Sequence, residues 1–207
     1  DKKYRLPQVV VYSLTKEQLQ KNVAKRKDRF HADPLLLKMG LNAVIPKEYS
    51  RSGYDQGHMA PSADFAWSQE ANDETFVMSN MAPQKPNLNR DAWKRLEEKI
   101  RRWGCGEKRV VVLTGPILEA KLATLKSGLP IPNQFFKIVI DDTPPRKAIG
   151  FIYNQSDKGD LLKKRIVNFE ELKQKIDIDF ESNVPQKDRA IFKRAVLLSE
   201  WKEDDCG

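Results

Sequence analysis

The stretch YDQGHMAPSADFAW, residues 54–67, decides how the rest of the chain is read. In it His58 directly follows a glycine in a turn-like run, with Asp55 three residues before it and Asp64 six after it. Histidine is the side chain whose unperturbed pKa lies nearest neutrality, so a His held in such a segment is a candidate general base. Taken alone, a loop His is as readily a surface or core residue, and His31 in Arg29-Phe30-His31-Ala32-Asp33 reads the same way with less around it. The residues downstream of His58 set it apart: a strand-like TFVMSN at 75–80, a loop MAPQKPN, and a helix pattern NRDAWKRLEEKIRRW at 89–103. Within that pattern Trp93, Leu96, Ile100 and Trp103 recur at spacings of three and four, which makes one apolar stripe. Asn89 or a neighbour is expected to cap the helix and Gly104 to stop it. Glu97 follows Asn89 by eight positions, so the two stand roughly 80° apart around the axis, two turns apart along it, on one flank. The opposite flank carries Arg95, Lys99 and Arg102 and reads as a solvated basic face. A loop His, a returning strand and a helix opened by an amide together make a ββα unit over about 54–103.

Outward from this unit, 207 residues with 40% hydrophobic content suffice for one domain, 1–207, with a sizeable core. The longest clean apolar runs, 9–12 and 110–113, fall far short of the roughly 18 residues of a membrane span. Thirty-seven Lys plus Arg against 29 Asp plus Glu give a net charge of +8, which attracts polyanions. Two His and two Cys exclude sites of three imidazoles or four thiolates, so a metal here takes oxygen ligands or a mixed set. Further strands are expected at 8–13, 109–114, 134–140 and 147–153, and further helices at 16–26, 169–176 and 187–198. The fold class is α+β, a central antiparallel or mixed sheet flanked by helices. Cys105 and Cys206 are either a bridge that ties down the tail or two reduced thiols. Asn154-Gln155-Ser156 matches a glycosylation sequon, a three-residue pattern of low specificity.

Phosphodiester hydrolysis needs a base to activate water, a divalent cation to neutralise developing charge and basic groups to hold the backbone. Asp55-Gln56-Gly57-His58, Asn80-Met81-Ala82-Pro83-Gln84 and Asn89 through Glu97 line up, in order and spacing, with Asp-Arg-Gly-His, Asn-x-x-Pro-Gln and Asn-x-x-x-Trp-x-x-Leu-Glu. On these motifs the chain resembles the DNA/RNA non-specific endonuclease family, the ββα-metal nucleases. The likeness extends to Val10–Thr15, Thr114-Gly115-Pro116, Ile131-Pro132, Phe136-Lys137 and Val167 with Glu171. The resemblance implies His58 as general base and Asn89 as the direct ligand of Mg²⁺, with Mn²⁺ or another divalent cation substituting. It further implies that Glu97 orients metal-bound waters and that Asn80, beside the His, orients or contacts substrate. Asp55 is expected to support the loop or the metal's water shell. Arg26 fits an upstream transition-state Arg, with Arg29 as the alternative, and Gln56, Arg26, Arg29 and Arg90 are the candidate phosphate contacts.

Gln56 is the departure, standing where the family carries Arg, and it removes one fixed positive charge from the site. The expected activity is Mg²⁺-dependent, sequence-non-specific cleavage of DNA and RNA leaving 5′-phosphates. The alternatives are a nucleic-acid-binding protein on a weakened nuclease fold, or a delivered toxin nuclease held by an acidic inhibitor or immunity protein. A homodimer is compatible with this reading. A start at Asp1 without Met reads as a mature chain and points to a secreted or periplasmic protein, with an organelle or the cytoplasm as alternatives.

Overall fold

The computed structural model describes residues 1–182, 184–194 and 197–206. In chain order the elements are β1 (Val10–Thr15), α1 (Lys16–Leu19), α2 (Pro34–Lys38), β2 (Asp55–His58), α3 (Gln69–Glu74) and β3 (Met81–Gln84). A π-helical turn (Leu88–Trp93) then runs into α4 (Lys94–Gly106). It is followed by β4 (Arg109–Pro116), β5 (Ala123–Thr124), β6 (Pro130–Ile131), β7 (Gln134–Asp141), β8 (Lys147–Asn154), β9 (Ile166–Val167) and α5 (Phe169–Lys175). Five strands form one sheet in the order β1-β4-β7-β8-β9, and every neighbouring pair is antiparallel.

Both faces of this sheet are covered, which is why β7 and β8 read as nearly continuous apolar runs. Phe135 and Val139 of β7, with Ile149, Phe151 and Tyr153 of β8, face α4 and the β2–β3 pair. Phe136, Ile138 and Ile140, with Ala148 and Ile152, face α5 and the segment bearing Phe180 and Phe192. The alternation is the period of two that a pleated strand imposes. Lys137 falls on the α4 side of β7 and is fully buried there.

Helix α4 packs its expected stripe of Leu96, Ile100 and Trp103, with Trp93 just before it, and all four are 1% exposed. It does not stop at Gly104. That glycine lies inside the helix because a Cβ there would sit 2.8 Å from Leu19 Cδ1, so the position is a close crossing with α1. The helix ends at Gly106, where a Cβ would stand 2.3 Å from the Lys202 carbonyl oxygen. The chain near 201–206 is strapped to this end: Trp201 packs on Trp103 at 4.8 Å, Lys202 N donates to Glu107 Oε1, and Cys105 and Cys206 form a disulfide. The expected basic face is engaged in ion pairs, Arg95 with Asp91, Lys99 with Glu203 and Arg102 with Asp205.

Three expected elements differ. The helix at 16–26 is a single turn, capped by Thr15 and Gln18 in a capping box. Beyond it Val23 N and Ala24 N both donate to Ala66 O at 2.9 Å, and residues 20–29 offer a helix only those two apolar side chains. The strand expected at 75–80 is the turn that follows α3, a single bridge of Val77 to His31 and a 3₁₀ turn at Met78–Asn80, and the strand lies at Met81–Gln84 instead. Asn80 Nδ2 donates to Thr75 O at 2.8 Å, closing that segment on itself, whereas five residues of strand would span about 17 Å. The helix expected at 187–198 is 3₁₀ at Gln186–Phe192 and Leu198–Glu200, and Ala195 and Val196 lie outside the described residues.

Candidate active site

Strand β2 delivers His58 and is fixed from three sides. It pairs antiparallel with β3, Asp55 opposite Gln84 and His58 opposite Met81. Position 57 must be glycine, because a Cβ would lie 2.1 Å from Oε1 of the buried Gln84. Past His58, Asn80 clamps the backbone: its Oδ1 accepts from Ala60 N and its Nδ2 donates to Ala60 O, both at 2.9 Å, while Met59 N donates to Asn80 O. Lys137 Nζ donates to Met59 O at 3.2 Å from beneath. Asn80 is therefore buried with both of its amide N–H groups committed to backbone, which fits the orienting role and leaves no donor for substrate. Gln155, the middle residue of the sequon, is also buried and braces β3, its Nε2 donating to Pro83 O and its Oε1 accepting from Lys85 N.

The His58 ring stands edge-on to Phe76 at 5.1 Å and tilted against Phe30 at 5.6 Å. Its Nε2 is buried and has no hydrogen-bond partner among the described residues. Burial, reinforced by the Arg26 charge and opposed by Asp28, pulls its pKa from 6.5 down to about 4. At neutral pH the imidazole is uncharged and able to take a proton.

The irregular 21–31 segment carries Arg26 alongside. Its Nε donates to Asp28 Oδ1 at 2.8 Å, its Nη1 to Ser62 Oγ at 3.2 Å, and its guanidinium lies 5.5 Å from the Phe76 ring centre. Arg29 and His31 are elsewhere: His31 Nδ1 bonds the Arg29 carbonyl, and neither side chain lines the cavity that His58 faces. Between the two candidate arginines, the structure places Arg26 at the site.

The helix wall lies across a cavity of about 590 Å³ lined by Arg26, Gln56, His58, Asn89, Arg90 and Glu97, among others. Asn89 does not cap the helix. It sits in the π turn, a feature that often marks functional sites, and donates from Nδ2 to Asp55 Oδ2 at 2.9 Å. A carboxylate only accepts, so this bond fixes the amide's orientation and leaves Oδ1, which accepts no hydrogen bond among the described residues. Asp55 also receives Arg90, Nε on Oδ2 at 2.8 Å and Nη2 on Oδ1 at 2.7 Å. The angular estimate from an ideal helix applies only from Lys94 on, since the π turn widens the first turn.

Beneath Glu97 is a set of charges that sequence reasoning missed. Asp64, 1% exposed, accepts from Tyr12 Oη and from Arg101 Nη1, each at 2.8 Å. Lys137 Nζ lies 4.5 Å from the Trp93 ring centre. Burial pushes Glu97 up to about 7 against the pull of Lys137, and burial brings Lys137 down to about 8 against the pull of Glu97. Two signals were available: Arg101 stands four residues after Glu97 on one helix, and Lys137 is the lone charge inside an apolar strand.

Asn89 and Glu97 bring oxygen donors to the cavity. An amide oxygen held free at Asn89 and the Glu97 carboxylate, which makes no hydrogen bond among the described residues, suit a hard cation that keeps most of its waters. No cluster of three or more His, Cys, Asp or Glu that could hold a metal occurs among the described residues.

This geometry agrees with what the chain is similar to. A nuclease of Nostoc sp. is 35% identical over 173 residues, 78% of this chain and 62% of the relative. The mitochondrial nuclease of Saccharomyces cerevisiae is 33% identical over 152 residues (67% and 46%), and human mitochondrial endonuclease G 35% over 142 (63% and 47%). The chain thus spans about half to three fifths of the length of these curated relatives. A crystal structure of the EndoG/EndoGI complex superposes with a TM-score of 0.78 at 26% identity, covering 91% of this chain and 83% of the other. The family model for DNA/RNA non-specific endonucleases, which are divalent-metal-dependent nucleases, matches residues 1–187. With His58, Asn89 and Glu97 meeting in one cavity, the chain belongs to the DNA/RNA non-specific endonuclease family.

Proposed function

We propose that this chain is a Mg²⁺-dependent endonuclease that hydrolyses DNA and RNA without sequence preference, through a single domain, and leaves 5′-phosphate ends. One observation carries the reading: an uncharged His58 lines the same cavity as an Asn89 whose amide is oriented by Asp55, which leaves its oxygen free. His58 takes the proton of the attacking water, and Arg26, steadied by Asp28 and Ser62, holds phosphate oxygens with its remaining N–H groups. Asn89 would hold the cation and Glu97 would face its water shell. When bound, the cation offsets the charge that builds on the phosphate and the leaving oxygen. Contacts to the sugar-phosphate backbone alone account for the lack of sequence preference.

Plasmid nicking tests this. Cleavage with Mg²⁺, none with EDTA and a loss of about a hundredfold or more in His58→Ala is the expected pattern. Intact plasmid from folded wild type across several metals and pH values would overturn it in favour of a binding protein weakened at Gln56. The net charge of +8 supports an acidic inhibitor as protein partner, and the similar EndoG was solved in a complex described as inhibitory. The Cys105–Cys206 bridge supports an oxidising compartment, secreted or periplasmic, while the mitochondrial relatives support an organelle.

A further inference from the structure

Position 56, where the family pattern carries Arg, holds an uncharged Gln that lines the cavity beside His58. Directly next to it, Asp55 anchors two consecutive residues of the π turn, Asn89 through one bond and Arg90 through two. Consecutive residues of an α-helix point about 100° apart and do not share partners. Here both reach one carboxylate. The two bonds of Arg90 use its Nε proton and one of its Nη2 protons, so three N–H groups remain, on a side chain that is 71% exposed and lines the same cavity.

We propose that the phosphate-gripping cation missing at Gln56 has moved to Arg90, and that Asp55 aims Arg90 and Asn89 together. This deepens the nuclease reading and rests on it. A free Arg on the surface would lose much rotamer freedom on gripping a phosphate; fixed on Asp55, its planar fork is already oriented. The same carboxylate fixes the spacing between the phosphate grip and the metal-facing amide. Asp55 is in this sense a positioning residue, and Arg90 touches substrate.

The experiment compares wild type, Arg90→Gln, Gln56→Arg, the exchange Gln56→Arg/Arg90→Gln and Asp55→Asn. It reads kcat/KM on an oligonucleotide duplex, the salt dependence of duplex binding in EDTA, and Mn²⁺ binding by electron paramagnetic resonance, with melting curves as the folding control. Arg90→Gln should lower kcat/KM about 5- to 150-fold, the range for losing one bidentate Arg contact. It should also reduce the salt slope by roughly one and leave Mn²⁺ binding unchanged. The exchange should recover most of the loss, because the charge returns to the same cavity from the strand side. Asp55→Asn should weaken Mn²⁺ binding about 10- to 100-fold as well, since Asn89 loses its orienting partner. Arg90→Gln within twofold of wild type, or an exchange no better than Arg90→Gln, would overturn the proposal while leaving the nuclease reading intact. If wild type binds DNA without cleaving it, the nuclease reading fails, and the salt slope of Arg90→Gln still decides whether Arg90 grips phosphate.

Discussion

The two walls of the cavity are built on opposite plans. The His58 wall is aromatic, with Phe30 and Phe76 against the imidazole and Arg26 as the nearest cation. The α4 wall is a lattice of charge, Asp55 with Arg90 and Asn89 at the rim and Asp64, Arg101, Lys137 and Glu97 below. Burial favours the uncharged form on both walls, yet with opposite consequences. It leaves His58 ready to accept a proton and leaves Glu97, without a cation, inclined to keep one. The aromatic wall carries one cation, Arg26, whereas the charged wall sets three carboxylates, Asp55, Asp64 and Glu97, against three basic groups, Arg90, Arg101 and Lys137.

Breaking the aromatic wall at its base should have the largest effect: His58→Ala should cut the cleavage rate about 10²- to 10⁴-fold, read by single-turnover plasmid nicking. On the charged wall the far end of α4 should separate stability from chemistry. The Cys105–Cys206 bridge closes 101 residues of chain, so Cys105→Ser should cost about 2–4 kcal/mol in chemical denaturation while changing cleavage little. An equal loss of both would show that the strap also holds Asn89 and Glu97 in place. Asn80→Ala, behind the aromatic wall, should cost roughly 1–3 kcal/mol by leaving backbone groups of Ala60 and Thr75 unpaired, and should lower kcat more than it raises KM.

The smallest effect should be in pH dependence, and there the walls have opposite signs. The unfolded chain holds more protons at His58 between about 4 and 6.5, so this group makes stability rise with pH in that window. The folded chain holds more protons at Glu97 between 4.5 and about 7, so this group makes stability fall over nearly the same range. In EDTA the wild type should show a flattened profile there. Glu97→Gln should rise more steeply with pH and His58→Ala should fall. Two parallel profiles would show that the walls are not opposed.

Much of the fold follows from local chemistry. The α4 stripe and the α5 pattern repeat at the helical period, and the apolar runs of β4, β7 and β8 are short, rich in β-branched and aromatic residues and bounded by turn residues, so none needs tertiary information. The elements that differ share a cause. Strand β3 contains a proline and reads as loop, while TFVMSN has the composition of a strand and is folded back by one Asn80 side chain bonded to Ala60 and Thr75. Gly104 reads as a stop but marks a helix crossing.

The candidate site divides the same way. Residue order and spacing are enough to pick out His58, Asn89 and Glu97 as the candidate base, amide and carboxylate, because they match one family's motifs across the chain. The commitment of Asn80 to backbone, the joint hold of Asp55 on Asn89 and Arg90, and the charges of Asp64, Arg101 and Lys137 under Glu97 emerge only once the chain is folded. These depend on burial and on distances between residues up to 78 positions apart, such as Met59 and Lys137. Local periodicity carries no record of such distances.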